Sequence, residues 1–344
     1  MSGGNLSEHP SVFDTDFAAE AEKWTRNGIA LAKRALVGRK HKHIMVDIEQ
    51  SGWDRFIYWA TALGQLPNKS FVRNPVYKPK DVKKSIDSLT RMANEYAAAF
   101  GGVKDYQFGI YNSPGVASAD VTECLAGMLS PTEMYERFAN SSLWWLPELS
   151  AAVTYLCPEV YPSNSWHMRW SQMVAYNLTK YAYDYAHLVG TAAVASFPND
   201  VHRLRPVITS KFAVQGDYDK SKPFSFPFMD LRTAFTAQLC GLRDAGISNI
   251  LLWNNYGTTS LIGTILGKAA QQVPLTTEER TRWLNMTGLS GQPVTEQDLD
   301  AAPPRAQLVS KLEARATDEL IVIKSVFGSG DAEVESVCSR FRTL

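Results

Sequence analysis

HIMVDIE, residues 43–49, is the stretch of sequence that decides the predicted fold. It is short, rich in β-branched residues and almost wholly apolar up to its acidic end, which is typical of a strand buried on both faces of a parallel sheet. The same pattern recurs four more times, and Pro, Asn or Gly closes each copy. The five predicted strands lie near residues 43–49, 105–112, 152–161, 205–212 and 248–254.

Helical patterns separate these strands. Apolar residues recur at helical spacing near residues 14–37, 81–100, 166–190 and 229–245, and Gly246 is a stop signal for the last helix. Alternating strands and helices predict an α/β fold, a (β/α) TIM-type barrel forming one domain over residues 1–344. Five strands are fewer than the eight of an ordinary barrel, so we expect an incomplete or smaller variant. Residues 257–304 are predicted to be a peripheral excursion, and the type of the apolar segment 319–327 stays open.

The composition excludes several classes of protein. The 344 residues are 45% apolar and 20% charged, and 35 basic side chains balance 35 acidic ones. These values argue against a disordered chain, a collagen-like fibre and a basic nucleic-acid-binding module. No stretch approaches the roughly 20 consecutive apolar residues of a membrane helix, so we expect a soluble protein without a membrane span. An aromatic content of 11% favours sugar rings or other flat ligands as partners.

Cysteine and histidine residues show no metal-binding spacing. The cysteines (Cys124, Cys157, Cys240 and Cys338) form no CxxC pair, and the histidines form no HExxH motif, so we expect no metal and buried thiols with at most one disulfide. Gly-rich phosphate loops and a GxSxG elbow are also absent from the sequence, and we expect no organic cofactor. The first residues lack the pattern of a secretory signal, whereas five Asn-x-Ser/Thr sequons favour the secretory route. We therefore expect a secreted or lysosomal protein, or a cytosolic one if this start is native.

Two carboxylates end the first predicted strand. Asp47 and Glu49 are two residues apart, so in an extended strand both point to one face, roughly 7 Å from each other. Because like charges in one crevice repel, the less solvated acid keeps its proton to higher pH while the other stays charged. A glycosidase needs this combination, since it protonates a leaving oxygen and supports a positive transition state. The alternative is that both acids simply end a strand in solvent.

Aromatic, acidic and basic residues follow the other predicted strands. Tyr111, Glu159, Tyr161, Lys211 and Trp253 all fall at carboxyl ends, where parallel α/β proteins gather their catalytic groups. Aromatic rings mixed with acids and amides suit a sugar-binding cleft. Each residue also has a structural explanation, because the aromatic side chains could belong to the core, the acid could cap a loop, and the lysine could pair with a nearby acid.

Several segments, in matching order, resemble the hyaluronidase family of glycoside hydrolases. SLWWLPELSAAVTYLCPEVYP (142–162) is similar to the family's Leu-Trp-rich helix and its Ala-Leu-Tyr-Pro-Ser-Ile-Tyr strand, and HIMVDIEQSGWDRF (43–56) resembles its Val-Ile-Asp-Trp-Glu strand. YQFGIYNSP (106–114) and MDLRTAFTAQLCGLRDAGISNILLWNN (229–255) are similar to later elements of the same barrel. The resemblance covers about residues 20–341. It implies a barrel of seven strands in which the first two are missing here, together with the usual disulfide partner of Cys338.

The resemblance assigns the chemistry to the acidic strand end. It implies that Glu49 is the general acid that protonates the glycosidic oxygen. Asp47 would orient the N-acetyl group of the substrate, whose oxygen attacks the anomeric carbon. This is substrate-assisted hydrolysis with retained configuration, in which no second carboxylate attacks the sugar.

The resemblance also assigns substrate-binding roles to the other strand ends. Tyr161 would contact the acetamido group, Trp253 would wall the sugar subsite, and Tyr111 would line the groove. Lys211 stands where the family's strand ends in Arg, and it would bind the substrate in place of that residue. The implied substrate is a glycosaminoglycan, a polysaccharide that contains β-linked N-acetylhexosaminides. Hyaluronan is the first candidate and chondroitin is the second.

Two other functions fit the same sequence features. A lysozyme-like muramidase also carries a D-x-E strand in its barrel, although the usual opening strand with an early catalytic Asp is not visible in this sequence. A non-catalytic glycan-binding or structural protein could keep the barrel without the reaction. Glu49 discriminates between these classes, because its replacement abolishes turnover only in an enzyme.

Overall fold

The computed structural model contains helices and short parallel strands. It describes residues 17–38, 42–46, 79–100, 106–111, 118–142, 147–162, 170–212, 229–253 and 305–344. The chain forms two compact units. The first unit comprises Met1–Ala117, Thr132–Glu159 and Ala195–Pro206, and the second comprises Ser118–Pro131, Val160–Val194 and Val207–Leu344.

The first unit is built around a parallel pair of strands. Its elements in chain order are α1 (Phe17–Ala35), β1 (Lys42–Val46), α2 (Pro79–Phe100), β2 (Tyr106–Ile110), α4 (Pro131–Ser142, which begins in the second unit) and α5 (Pro147–Ala152). β1 and β2 pair in parallel register from Lys42 opposite Tyr106 to Val46 opposite Ile110. Two isolated parallel bridges follow β2 along the chain. One joins Tyr111 to Cys157, and the other joins Leu156 to Leu204.

The core of the first unit lies between α2 and β2. Apolar residues on α2 recur three or four positions apart, so one face of the helix is buried, as expected of a helix that covers a sheet. Tyr96 on this face stacks on Phe108 of β2, with ring centroids 4.9 Å apart. Phe108 and Leu89 are fully buried. The alternation of side chains along β2 therefore points Phe108 towards the helix and Gly109 towards the opposite face.

The second unit combines three short strands with long helices. Its elements are α3 (Ser118–Leu125), α6 (Trp170–Ala175), α7 (Leu178–Ser196), β4 (Val207–Ile208), a π-helical turn (Leu231–Phe235), α8 (Thr236–Asp244), β5 (Leu251–Leu252), α9 (Arg305–Phe327) and α10 (Asp331–Arg342). β3 (Glu159–Val160) spans the boundary, and its residue Val160 belongs to this unit. The strand order is β3-β4-β5, and β4 pairs with β5 in parallel. Most residues of α8 are buried, and so are many residues of α7 between Tyr181 and Ala193.

Strands occur at all five predicted positions, and the described pairs are parallel. β3, β4 and β5 are shorter than predicted, and closure of the strands into a barrel stays a prediction. The helix predicted over 166–190 is wrong at its centre, because α6 and α7 are separated at Asn177, whose φ is +77°. The apolar segment 319–327, whose type the sequence left undecided, is helical and belongs to α9. The predicted excursion over 257–304 lies outside the described residues.

A disulfide joins Cys240 on α8 to Cys338 on α10. This agrees with the expectation of at most one disulfide, and Cys338 has Cys240 as its partner in place of the family's usual one. Cys124 and Cys157 are free thiols. No described helix has both the length and the apolar character needed to cross a membrane.

Candidate functional site

The two acids of the predicted catalytic pair, Asp47 and Glu49, lie outside the described residues. The description of β1 ends at Val46, one residue before this pair. The carbonyl oxygen of Val46 accepts a hydrogen bond from the backbone N–H of Tyr111, at 2.9 Å. Tyr111 therefore lies beside the carboxyl end of β1, as the parallel register of β1 and β2 requires.

Tyr111 is paired with Glu159 in the first unit. The Tyr111 hydroxyl donates a hydrogen bond to Oε2 of Glu159 at 2.9 Å. Tyr111 is buried and Glu159 is half-buried. Because Tyr111 bridges to Cys157, and side chains alternate along an extended chain, Cys157 and Glu159 share one face of the sheet. The sequence named both residues as strand ends but not their contact, which follows from the pairing of neighbouring strands.

The same face of the sheet carries a buried, uncharged thiol. Cys157 is fully buried, and this burial raises the pKa of its thiol although Arg205 works in the opposite direction. Tyr155, two residues earlier, donates a hydrogen bond to the carbonyl of Ile44 at 2.8 Å. The guanidinium carbon of Arg205 lies 5.4 Å from the centre of the Tyr155 ring. A thiol that stays protonated in this setting is a packing residue and not a nucleophile.

Tyr161 and Trp253 are in contact in the second unit. Their ring centroids are 6.4 Å apart and their planes meet at 87°, an edge-to-face arrangement. The backbone N–H of Trp253 bonds the carbonyl of Ile208 at 2.8 Å, and Nε2 of Gln238 bonds the carbonyl of Val160 at 2.8 Å. These bonds fix the carboxyl ends of β3 and β5 on either side of β4. Both aromatic residues are half-buried.

Lys211 lies beside a buried ion pair in the second unit. Arg315 and Glu319, one turn apart on α9, are joined by a bond of 3.2 Å between Nε and Oε1. The hydroxyl of Ser210 donates to the same Glu319 oxygen. Arg315 also bonds the carbonyl of Met229 at 3.0 Å. The ion pair therefore anchors the end of β4 to α9.

The charge state of Lys211 responds to this environment. Burial and the positive charge of Arg315 lower the pKa of the Lys211 amine to about 8, whereas Glu319 works in the opposite direction. Sequence reasoning missed Arg315 and Glu319 entirely. The signal that could have found them is their spacing of four residues on one helix, which is the spacing of an intrahelical ion pair.

The predicted site residues thus fall into three described groups. Tyr111 pairs with Glu159, Tyr161 packs on Trp253, and Lys211 lies near the ion pair of α9. Within the described part of the chain, no group of three His, Cys, Asp or Glu residues is arranged to hold a metal ion. No protein-family model matches the sequence, and no curated protein and no solved structure matches it significantly.

Proposed function

We propose that the protein is a glycoside hydrolase that cleaves β-linked N-acetylhexosaminides in a glycosaminoglycan, with hyaluronan as the first candidate. The observation that carries this proposal is the edge-to-face contact of Tyr161 and Trp253 at the carboxyl ends of β3 and β5. Aromatic faces at this edge of a parallel sheet provide apolar surface for a sugar ring. The proposal assigns the chemistry to the acidic pair Asp47 and Glu49, which follows β1 in the sequence.

In the proposed reaction, Glu49 donates a proton to the glycosidic oxygen as its bond to the anomeric carbon breaks. The acetamido oxygen of the same sugar forms the new bond to that carbon, and Asp47 stabilises the positive charge that develops on the acetamido group. Water then attacks the anomeric carbon, the bond from that carbon to the acetamido oxygen breaks and restores the acetamido group, and the Glu49 carboxylate takes a proton from the water. Two displacements at one carbon retain its configuration. The proposal requires the register of β1 and β2 to continue past Val46, so that position 47 pairs with Tyr111.

The decisive test is the substitution Glu49→Gln, assayed by the change in hyaluronan chain length over acid to neutral pH. A glutamine keeps the size of the side chain but has no proton to donate. We expect the rate to fall by about 100-fold or more, as is usual when a general acid is removed. Binding of hyaluronan should persist, since the aromatic pair is unchanged.

Glu136→Gln is the matched control, because Glu136 is an exposed acid on α4 in the first unit. This variant should keep the wild-type rate. Full activity of the Glu49→Gln protein would contradict the proposed mechanism. Release of reducing sugar from peptidoglycan but not from hyaluronan would identify a muramidase instead.

The Tyr161–Trp253 pair also suits a non-catalytic glycan-binding protein, which is the second candidate. In that case the wild-type protein binds hyaluronan without shortening it, and Glu49→Gln changes neither property. Trp253→Ala should weaken binding under both hypotheses. Binding and chain length, measured on the same samples, therefore separate the two functions.

A further inference from the structure

Asn177 lies in an exposed turn between two helices of the second unit. α6 ends at Ala175 and α7 begins at Leu178, so the helical backbone is interrupted at Asn177. Its φ is +77°, a left-handed conformation that asparagine adopts more readily than most side chains. The backbone N–H of Asn177 bonds the carbonyl of Val174 at 3.2 Å, and the Val174 residue is 48% exposed. Asn177 is itself exposed, so a bulky group attached to its side chain can extend into solvent.

The oxygen and the nitrogen of the Asn177 carboxamide differ in their contacts. Oδ1 accepts a hydrogen bond from the backbone N–H of Thr179 at 3.0 Å, which satisfies a donor near the start of α7. An N–H group bonds only an acceptor, so Nδ2 lies on the other side of the carboxamide. Within the described part of the chain, Nδ2 makes no hydrogen bond. A substituent on Nδ2 therefore leaves the bond between Oδ1 and Thr179 in place.

Asn177, Leu178 and Thr179 form one of the five Asn-x-Ser/Thr sequons of the sequence. A second sequon within the described ranges begins at Asn140, in the last turn of α4. Residues two positions apart on a helix do not face each other, so helical backbone keeps positions 140 and 142 on different sides of α4. At Asn177 the left-handed backbone instead brings the carboxamide next to residue 179. Of these two sequons, the one at Asn177 places its acceptor amide beside its hydroxyl residue.

We propose that Asn177 is an N-glycosylation site, with a lipid-linked oligosaccharide diphosphate as the donor. Nδ2 of Asn177 forms a bond to the anomeric carbon of the first sugar, and the bond from that carbon to the phosphate oxygen breaks. The lipid diphosphate leaves with the electron pair, and Nδ2 loses one proton. No oxidant or reductant is needed. The proposal concerns a modification of the chain and does not depend on glycoside hydrolysis.

The test is secretion of the full-length protein behind a cleavable leader from a eukaryotic host that adds N-linked glycans. Protein whose leader has been removed has entered the compartment of the oligosaccharide transferase, so this fraction is collected from cells and medium. Peptide N-glycosidase in heavy-oxygen water then converts each glycosylated Asn to an isotopically labelled Asp, which peptide mass spectrometry detects. We expect the label on most of the peptide that contains Asn177. An unlabelled Asn177 in the leader-cleaved protein would overturn the proposal.

The control and the variants test whether the sequon determines the modification. Asn249 is the internal control, because it is an exposed asparagine of the same unit but has Leu251 two residues later, without a hydroxyl. Thr179→Ala should abolish the label at Asn177 while keeping the bond from Oδ1 to the backbone N–H. Thr179→Ser keeps a hydroxyl and should retain the label. Label on Asn249, or label on Asn177 that survives Thr179→Ala, would contradict glycosylation at this sequon.

Discussion

Gly109 shows how a single hydrogen atom in place of a side chain decides the packing of the first unit. A Cβ atom at this position would lie 2.8 Å from Sγ of Cys157 and would also overlap the ring of Tyr155. Both neighbours are fully or almost fully buried, so neither can move aside. Only glycine lets β2 approach the segment before β3 closely enough for the bridge between Tyr111 and Cys157.

Gly109→Ala should therefore destabilise the protein by about 2–3 kcal/mol, the usual cost of overpacking a core. The matched control is Gly330→Ala, because a Cβ at Gly330 has no neighbour within 4 Å and its φ is −69°. Urea denaturation of the two variants measures the difference in unfolding free energy. If Gly109→Ala were as stable as the control, the close approach of Tyr155 to β2 would be wrong.

At the residue scale, the sequence predicted where strands end but not what the residues at those positions touch. Tyr111 and Lys211 were both predicted strand ends, since short apolar runs stop there. The partner of Tyr111 comes from the next strand, 48 residues later. The ion pair that acts on Lys211 lies on a helix more than 100 residues further along the chain. Such contacts depend on how elements pack, which local apolar patterns do not encode.

At the scale of elements, Arg203 holds the end of α5 in place. The last carbonyl groups of a helix have no partner within the helix. The guanidinium of Arg203 donates to the carbonyls of Ser150 and Val153, the latter at 2.7 Å, and its Nε donates to the carbonyl of Thr154 at 3.4 Å. One side chain thus satisfies three backbone acceptors where the helix turns into the next strand.

Arg203→Ala should cost about 2–4 kcal/mol of unfolding free energy, because partly buried carbonyls lose charged donors. Arg203→Lys should recover only part of this loss, since an ammonium group lacks the planar fork of donors. Arg26→Ala serves as the control, because the contact of Arg26 within the described residues is an exposed ion pair with Glu22 at 3.7 Å, and such pairs contribute about 0–1 kcal/mol. Thermal denaturation of the three variants ranks them, and equal stability of Arg203→Ala and Arg26→Ala would contradict the capping role.

The sequence predicted the elements better than their bounds. Apolar periodicity identified α1 and α2 to within about three residues at each end. α2 buries one apolar face, whereas Leu31 of α1 is exposed. The helix predicted over 166–190 is interrupted at Asn177, and α7 begins at the next residue. The side-chain oxygen of Asn177 accepts a hydrogen bond from the N–H of Thr179 at 3.0 Å, near the start of α7. β3 is shorter than its apolar run, since Pro158 has no N–H to continue a ladder.

At the scale of the whole molecule, contacts between distant parts of the chain hold the C-terminal helix in the second unit. Arg342 of α10 donates to both oxygens of Asp244, each at 2.7 Å, and Tyr183 donates to one of them. Burial raises the pKa of Asp244, but the hydrogen bonds from Arg342 and Tyr183 lower it overall, so the acid stays charged. The disulfide between Cys240 and Cys338 lies in the same interface.

This disulfide closes a chain segment of 98 residues, which makes it the strongest long-range constraint among the described contacts. The double variant Cys240→Ala/Cys338→Ala should lose about 2–5 kcal/mol of unfolding free energy, because a cross-link of this length restricts the unfolded chain. The variant should still fold, since the ion pair of Arg342 and Asp244 remains. Thiol titration of the oxidised wild-type protein in denaturant should find two free thiols, those of Cys124 and Cys157. Four free thiols, or a double variant as stable as the wild type, would show that α10 is held without the disulfide.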